Sequence, residues 1–410
     1  MTRDREFLKF WSGETISLVG SQFSGIAIPI LAVNTLGVTA FQLGILNALT
    51  LLPFPLFGLF VGVWADRHRK RPTMIAADVG RMFFLALIPL SAYFFTVGLP
   101  LLFVVVFAVG TLQTFFDISY QSYLPYLVQR DQLIEGNSRL ETSRSVATVV
   151  GPSLAGFAAG VVGAPNAILG DVCGYLGSAS FLSQIKRPEA APPKRETHVI
   201  HDIKEGLEVI VRNRNLSAIA LCTGTFNLFQ NAFAVVMALL LLRTFGFSDV
   251  EFGLVFGIGG LGAVVSAIIS LRLIKRLGVG LSIIFGILIS GFPFLSFYFV
   301  GASTAFLAAS LAFFLSSFGG VLYNVAQLSY RQALVPLELQ GRMNASMRVL
   351  VWGPIPVGAI LGGVLGAAIG VRETLLVTAA ATSLAFLWVM LSPVRSVKEI
   401  PEREPYDAGS

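Results

Sequence analysis

The chain of 410 residues is 55% hydrophobic and only 13% charged, with a mean hydropathy of +0.76, a balance that excludes a soluble globular domain and places the chain in lipid. Its net charge of +6 would fit a nucleic-acid binder, but the basic residues follow the loops of one membrane face, so nucleic acid is excluded as a partner. Cys173 and Cys222 both sit inside apolar segments, which argues against a disulfide framework or a cysteine metal site.

A bilayer core about 30 Å thick needs roughly 20 apolar residues per helix. On that measure the apolar runs predict an all-α membrane protein of twelve transmembrane helices. The first six lie near 11–34, 42–65, 72–96, 100–126, 139–163 and 166–187. The second six lie near 216–243, 251–274, 279–301, 304–332, 345–368 and 371–393. Residues 1–187 and 216–393 therefore form two six-helix bundles. Between them, 188–215 is a polar linker in which Ile203, Leu207, Ile210 and Val211 repeat at helical spacing opposite Lys204, Glu205, Glu208 and Arg212, predicting a helix at the membrane surface. The tail, 394–410, is charged and bears prolines. Counted from a cytoplasmic N-terminus, every Lys and Arg except Arg243 and Arg372 falls on or near the cytoplasmic side, so both termini are expected there, in a bacterial inner membrane.

The halves repeat each other at an offset of about 207 residues. Ser122-Tyr123 matches Ser329-Tyr330, Leu127-Val128 matches Leu334-Val335, and Asn137 matches Asn344. Gly151, Gly156 and Gly163 match Gly358, Gly363 and Gly370 in the same register. Such duplication is common in transporters, with the substrate site between the repeats.

The loop between spans two and three reads Gly62-Val63-Trp64-Ala65-Asp66-Arg67-His68-Arg69-Lys70-Arg71-Pro72. It resembles motif A of the major facilitator superfamily, with Arg69 in place of the usual glycine and Trp64 in place of the usual leucine. The resemblance covers essentially the whole chain and implies two pseudo-symmetric bundles working by alternating access. It makes Gly62, Asp66 and Arg67 a gating motif, with Asp66 against the start of span eleven near 344–346; a carboxylate there contributes about 0.3 to 2 kcal/mol at a helix N-terminus. Ser17 to Gln22, Asp202 to Gly206 and the stretch from Val335 to Met343 look like the branch of drug, macrolide and siderophore exporters. Gly151-Pro152-Ser153-Leu154-Ala155-Gly156 resembles the end of that branch's antiporter motif, with Gly151, Pro152 and Gly156 its matching positions.

Ionisable groups near the bilayer centre are costly and normally face the protein interior. Asp117 lies about 17 residues into span four, roughly 26 Å of helix from its start, and is the expected proton-coupling residue; its repeat counterpart is the neutral Asn324. The resemblance implies a central cavity lined by spans one, four, seven and ten. Polar residues concentrate there: Ser17, Ser21 and Gln22; Gln113, Thr114 and Asp117; Asn227, Gln230 and Asn231; Tyr323, Asn324 and Gln327. Phenylalanines interleave with them, suiting an amphipathic ligand. Asp78 and Arg81 are expected to form a structural ion pair, Glu14 to be solvated, and Asp171 to face extracytoplasmic water. His68, His198 and His201 fall in cytoplasmic loops, the last two without matched ligands at metal spacing; no Walker loop points to ATP, and no nucleophile–base set points to an enzyme. The expectation is a monomeric secondary transporter, without cofactor or metal, exporting a small amphiphilic compound (drug, macrolide or siderophore-like) in exchange for protons. A lipid or lysolipid flippase, a receptor and a membrane enzyme remain alternatives.

Overall fold

The structure, a computed structural model, describes residues 4–129, 132–189, 199–335 and 337–399. Those residues are helical almost throughout. The first half contains α1 (Arg5–Ile30), α2 (Ala40–Leu51), α3 (Pro53–Arg67), α4 (Lys70–Phe94), α5 (Leu99–Leu127), α6 (Leu133–Val162), α7 (Ala164–Ala167) and α8 (Leu169–Ser183). The linker helix is α9 (Val199–Arg212). The second half contains α10 (Arg214–Leu239), α11 (Asp249–Leu277), α12 (Val279–Gly291), α13 (Ala302–Leu334), α14 (Leu337–Trp352), α15 (Pro354–Ala368), α16 (Val371–Leu384) and α17 (Leu387–Met390).

Eleven helical segments among the described residues are long and apolar enough to cross a membrane. The twelfth expected span, 166–187, is interrupted at Ile168 between α7 and α8 although the backbone there stays right-handed (φ −59°, ψ −23°), and α8 alone has 15 residues, about 22 Å of helix. The linker helix is where the amphipathic pattern put it. It packs along α14 and α10, with Arg342 Nη1 donating to Glu205 Oε1 at 2.8 Å.

The repeat is visible in backbone geometry. After α1 the chain forms a π-helical turn (Leu31–Thr35), and after α10 it forms another (Leu240–Thr244). Each leads to a left-handed glycine, Gly37 at φ 62° and Gly246 at φ 70°, a conformation in which a Cβ would be strained. Each then starts a helix with a capping box, Thr39 with Gln42 and Ser248 with Glu251, in which side chain and backbone satisfy each other's free N–H groups.

The halves meet along two glycine seams at the end of the bundle remote from the N-terminus. In one, α6 lies on α11: a Cβ on Gly156 would sit 2.8 Å from Gly253 Cα. In the other, α2 lies on α15: a Cβ on Gly44 would sit 2.8 Å from Gly363 Cα. Backbones this close leave no room for a side chain, the packing that membrane helices use in place of a hydrophobic driving force. Gly156 and Gly363 are repeat counterparts, so one device occurs twice. The same end is tied by Arg243, which donates to the carbonyls of Val33 (3.3 Å) and Val38 (3.0 Å), and by Asn34, which donates to Asp249 at 3.1 Å.

Candidate functional site

Ionisable side chains inside the bundle gather in the first half. Arg81 of α4 is 1% exposed and Asp78, one turn earlier, is 0% exposed; they form the expected ion pair. Arg81 also donates to Gln113 of α5. Its flat guanidinium lies between two rings, 4.3 Å from the Phe116 centroid and 4.1 Å from that of Tyr175, a stacked arrangement that a lysine could not reproduce. Gln113 in turn donates to Asp117 Oδ1 at 2.8 Å. One chain of contacts thus runs from Asp78 through Arg81 and Gln113 to Asp117.

Two cavities meet at Ser21, Gln113 and Asp117. The larger, about 490 Å³, is walled mainly by apolar side chains of α1, α2, α3 and α5, with Trp352 and Ile355 contributed by the second half. The smaller, about 320 Å³, is polar and holds Glu14, Gln22, Arg81 and Arg144 as well. Two expectations about carboxylates are corrected here. Glu14 is 7% exposed and lines the polar cavity rather than standing in solvent. Asp171 is 1% exposed and lines the apolar cavity rather than facing water, because α8, which carries it, is packed against both α1 and α4. Position along a helix suggested exposure for both, and neighbouring helices removed it.

Of the residues expected to line one central cavity, Gln22, Gln113 and Asp117 do line these two. Those of spans seven and ten lie outside both, occupied largely with their own half. Asn227 donates to the Val351 carbonyl at 2.9 Å, and Asn231 to the Asn227 carbonyl at 2.9 Å. Tyr323 bonds Thr223, and Gln327 donates to Asn324 at 3.0 Å. Gln230 Oε1 is buried without a hydrogen-bond partner among the described residues.

Gly151, Pro152 and Gly156 fall where helices touch. A Cβ on Gly151 would collide with Gln22 of α1, and the Pro152 carbonyl lies against Gly253. In the loop resembling motif A, Gly62 has open space around it and Arg67 is exposed. The Asp66 side chain and its expected contact at the start of span eleven lie outside the described residues, as do the side chains of His198 and His201. His68 stacks on Trp64 with centroids 4.1 Å apart.

Part of the basic cluster here makes structural contacts. Arg71 Nε donates to the Leu182 carbonyl at 2.7 Å and its Nη2 to that of Ser183, closing the C-terminus of α8 in the way that suits a cation at a helix end. The amides of Lys70 and Arg71 donate to the Glu189 carboxylate at 2.5 and 3.1 Å. Glu189 therefore caps α4, a role for which the sequence offered no local sign because the two are more than a hundred residues apart.

These features are those of a membrane transporter, and a family profile described as the Major Facilitator Superfamily matches residues 10–356. The chain belongs to that superfamily of multi-pass membrane transporters and is not an enzyme. It is 25% identical over 228 residues to macrolide efflux protein A of Streptococcus pyogenes, covering 55% of each chain, so the match spans about half the length of that relative. It is 24% identical over 389 residues to an uncharacterized MFS-type transporter of Bacillus subtilis, YfiS, covering 89% of this chain and 88% of that one. Among solved structures, a bacterial homologue of the iron transporter ferroportin in its inward-facing state shares the fold at a TM-score of 0.75 and 17% identity, covering 96% of this chain and 99% of the other. A bacterial homologue of the lysosomal transporter Spinster, inward-facing and unoccupied, aligns at 0.74 and 13%, covering 95% and 97%.

Proposed function

We propose that this protein is a secondary active exporter of a small amphiphilic compound, driven by proton antiport across a bacterial inner membrane, with both termini cytoplasmic. In this reading α7 and α8 together make the sixth of twelve spans, and the two halves rock against each other about the cavity. The observation that carries it is the junction at Asp117: one side is an apolar chamber of about 490 Å³, within the usual size range for small-molecule sites, and the other is a polar chamber with a second acid, Glu14. Substrate and proton can thus meet at one carboxylate. With the termini cytoplasmic, the glycine seams close the extracytoplasmic end, and the described state is inward-facing. Efflux as the direction is supported by the likeness to macrolide efflux protein A.

The test is reconstitution into proteoliposomes with an imposed pH gradient and a panel of drugs and siderophores. The expected result is gradient-driven movement of at least one apolar-bodied compound, abolished by a protonophore. Absence of gradient-dependent movement across the whole panel would overturn the assignment.

A further inference from the structure

We propose that Asp171, with Ser24 and Tyr175 beside it, is a recognition site for the charged nitrogen of an amphiphilic organic cation whose apolar body fills the rest of the larger cavity. This rests on the export reading in taking that cavity as the substrate's. It goes further in fixing the substrate's charge.

Three observations converge. Among the described residues lining the larger cavity, the only charged ones are Asp117 and Asp171, with no Lys, Arg or His. Asp171 is 1% exposed; its Oδ1, and Ser24 Oγ on the same wall, make no hydrogen bond within 3.5 Å among the described residues, although Ser24 and Tyr175 stand near enough to polarise toward the carboxylate and Arg81 lends it some positive field. Arg81, the nearest buried cation, is already engaged with Asp78 and Gln113 and held between Phe116 and Tyr175. A buried carboxylate lacking a full set of partners is costly, and a positively charged nitrogen supplies what is missing.

Asp171 is also the third residue of α8, where a carboxylate favours the helix dipole. That role accounts for an acid at this position but leaves Oδ1 and the neighbouring hydroxyl unpartnered on a cavity wall. The cavity wall also suits the other part of a cationic amphiphile, with Phe54 and Trp352 lining it and packed at 4.7 Å between ring centroids. Aromatic faces accept both apolar bodies and cations. An anionic ligand, an iron-loaded acidic chelate for instance, would meet two carboxylates and no counter-charge.

The experiment uses the full-length protein in phosphatidylcholine nanodiscs, without a gradient, and three fluorescent probes: ethidium, a permanent cation; N-phenyl-1-naphthylamine, neutral; and 1-anilinonaphthalene-8-sulfonate, an anion. Wild type should bind ethidium tightest and the sulfonate weakest. Asp171→Asn should weaken ethidium at least tenfold and leave the neutral probe within twofold, which also reports that the cavity is intact. Sulfonate binding to wild type as tightly as ethidium, a result that needs no variant, would overturn the proposal, as would unchanged ethidium affinity in folded Asp171→Asn. Cation-selective binding without pH-driven transport would instead remove the export reading and leave the site standing, whereas pH-driven transport with charge-blind binding would do the reverse.

Discussion

The two halves are built on one plan and filled with different chemistry. In the first, the buried charged side chains Glu14, Lys70, Asp78, Arg81 and Asp171 come from three different helices, and Arg81 and Gln113 bond from one helix to the next. In the second, no charged side chain is buried among the described residues; Ser266, Ser270, Ser282, Ser290, Thr374, Thr378 and Thr382 take their place. These hydroxyls mostly bond back along their own helix, as Thr378 does to the Thr374 carbonyl at 2.7 Å and Ser282 to that of Gly278 at 2.7 Å. Such back-bonding satisfies a polar group without tying helices together. The first half is therefore cross-linked by charge, and the second by close packing with a few neutral bonds such as those of Thr223 to Tyr323 and Asn227 to Val351.

The sharpest way to break this contrast is to leave a buried charge alone. Arg81→Met should destabilise the protein by about 3 to 5 kcal/mol, the usual result of removing one member of a buried pair, read as a lowered melting temperature or loss of the monodisperse peak in detergent. Adding Asp78→Asn should recover much of the loss; no recovery would show that Arg81 acts by stacking rather than by pairing with Asp78.

Next in size is Asp117→Asn, which keeps the shape and a hydrogen-bonding oxygen for Gln113. Transport driven by a pH gradient should fall more than tenfold, about 1.4 kcal/mol or more, while equilibrium binding of a neutral ligand persists. Unchanged gradient-driven flux would move the coupling role to Glu14 or Asp171.

A smaller effect compares equivalent helix starts. In the first half α4 is capped by the Glu189 carboxylate; in the second, α12 is capped by the backbone carbonyls of Lys398 (3.2 Å) and Val397 (2.9 Å). Glu189→Gln should cost up to about 1 kcal/mol through loss of charge at the helix N-terminus. Lys398→Ala should cost nothing measurable, since its carbonyl remains. Equal thermal shifts in the two variants would contradict the assignment of the cap to charge in one half and to backbone in the other.

The smallest effect is expected for Thr378→Val, about 0.6 kcal/mol or less, the scale of polar side-chain interactions inside membrane bundles. A loss as large as that of Arg81→Met would mean that the back-bonded hydroxyls of the second half also hold helices together.

Much of the fold was legible because lipid imposes a local rule: an apolar run of about 20 residues must satisfy its own backbone and therefore becomes a helix. The Asp78–Arg81 pair was legible for the same reason, lying one turn apart on one helix. The repeat was legible at an offset near 207 through Ser122, Asn137 and Gly156 and their partners. Its continuation through Gly37, Thr39 and Gly44 onto Gly246, Ser248 and Gly253 runs at an offset of 209, two residues out of that register, and is further disguised because Thr and Ser, or Gln42 and Glu251, are interchangeable in a capping box while differing as letters.

What the sequence determined by itself was everything set by neighbours along the chain: membrane residence, nearly all the helical spans, the linker helix and the repeat, and a carboxylate at mid-span on a polar face. Tertiary structure alone decided which polar groups are out of water and what they face. Glu14 and Asp171 read as surface acids from their places near helix ends, yet packed helices cover them. Asn227, Tyr323 and Asn324 read as cavity residues, yet lie outside the two chambers, bonded within their own half. Burial of a side chain depends on which distant helix lies across it, and helical periodicity says only which face a residue is on, not what that face meets.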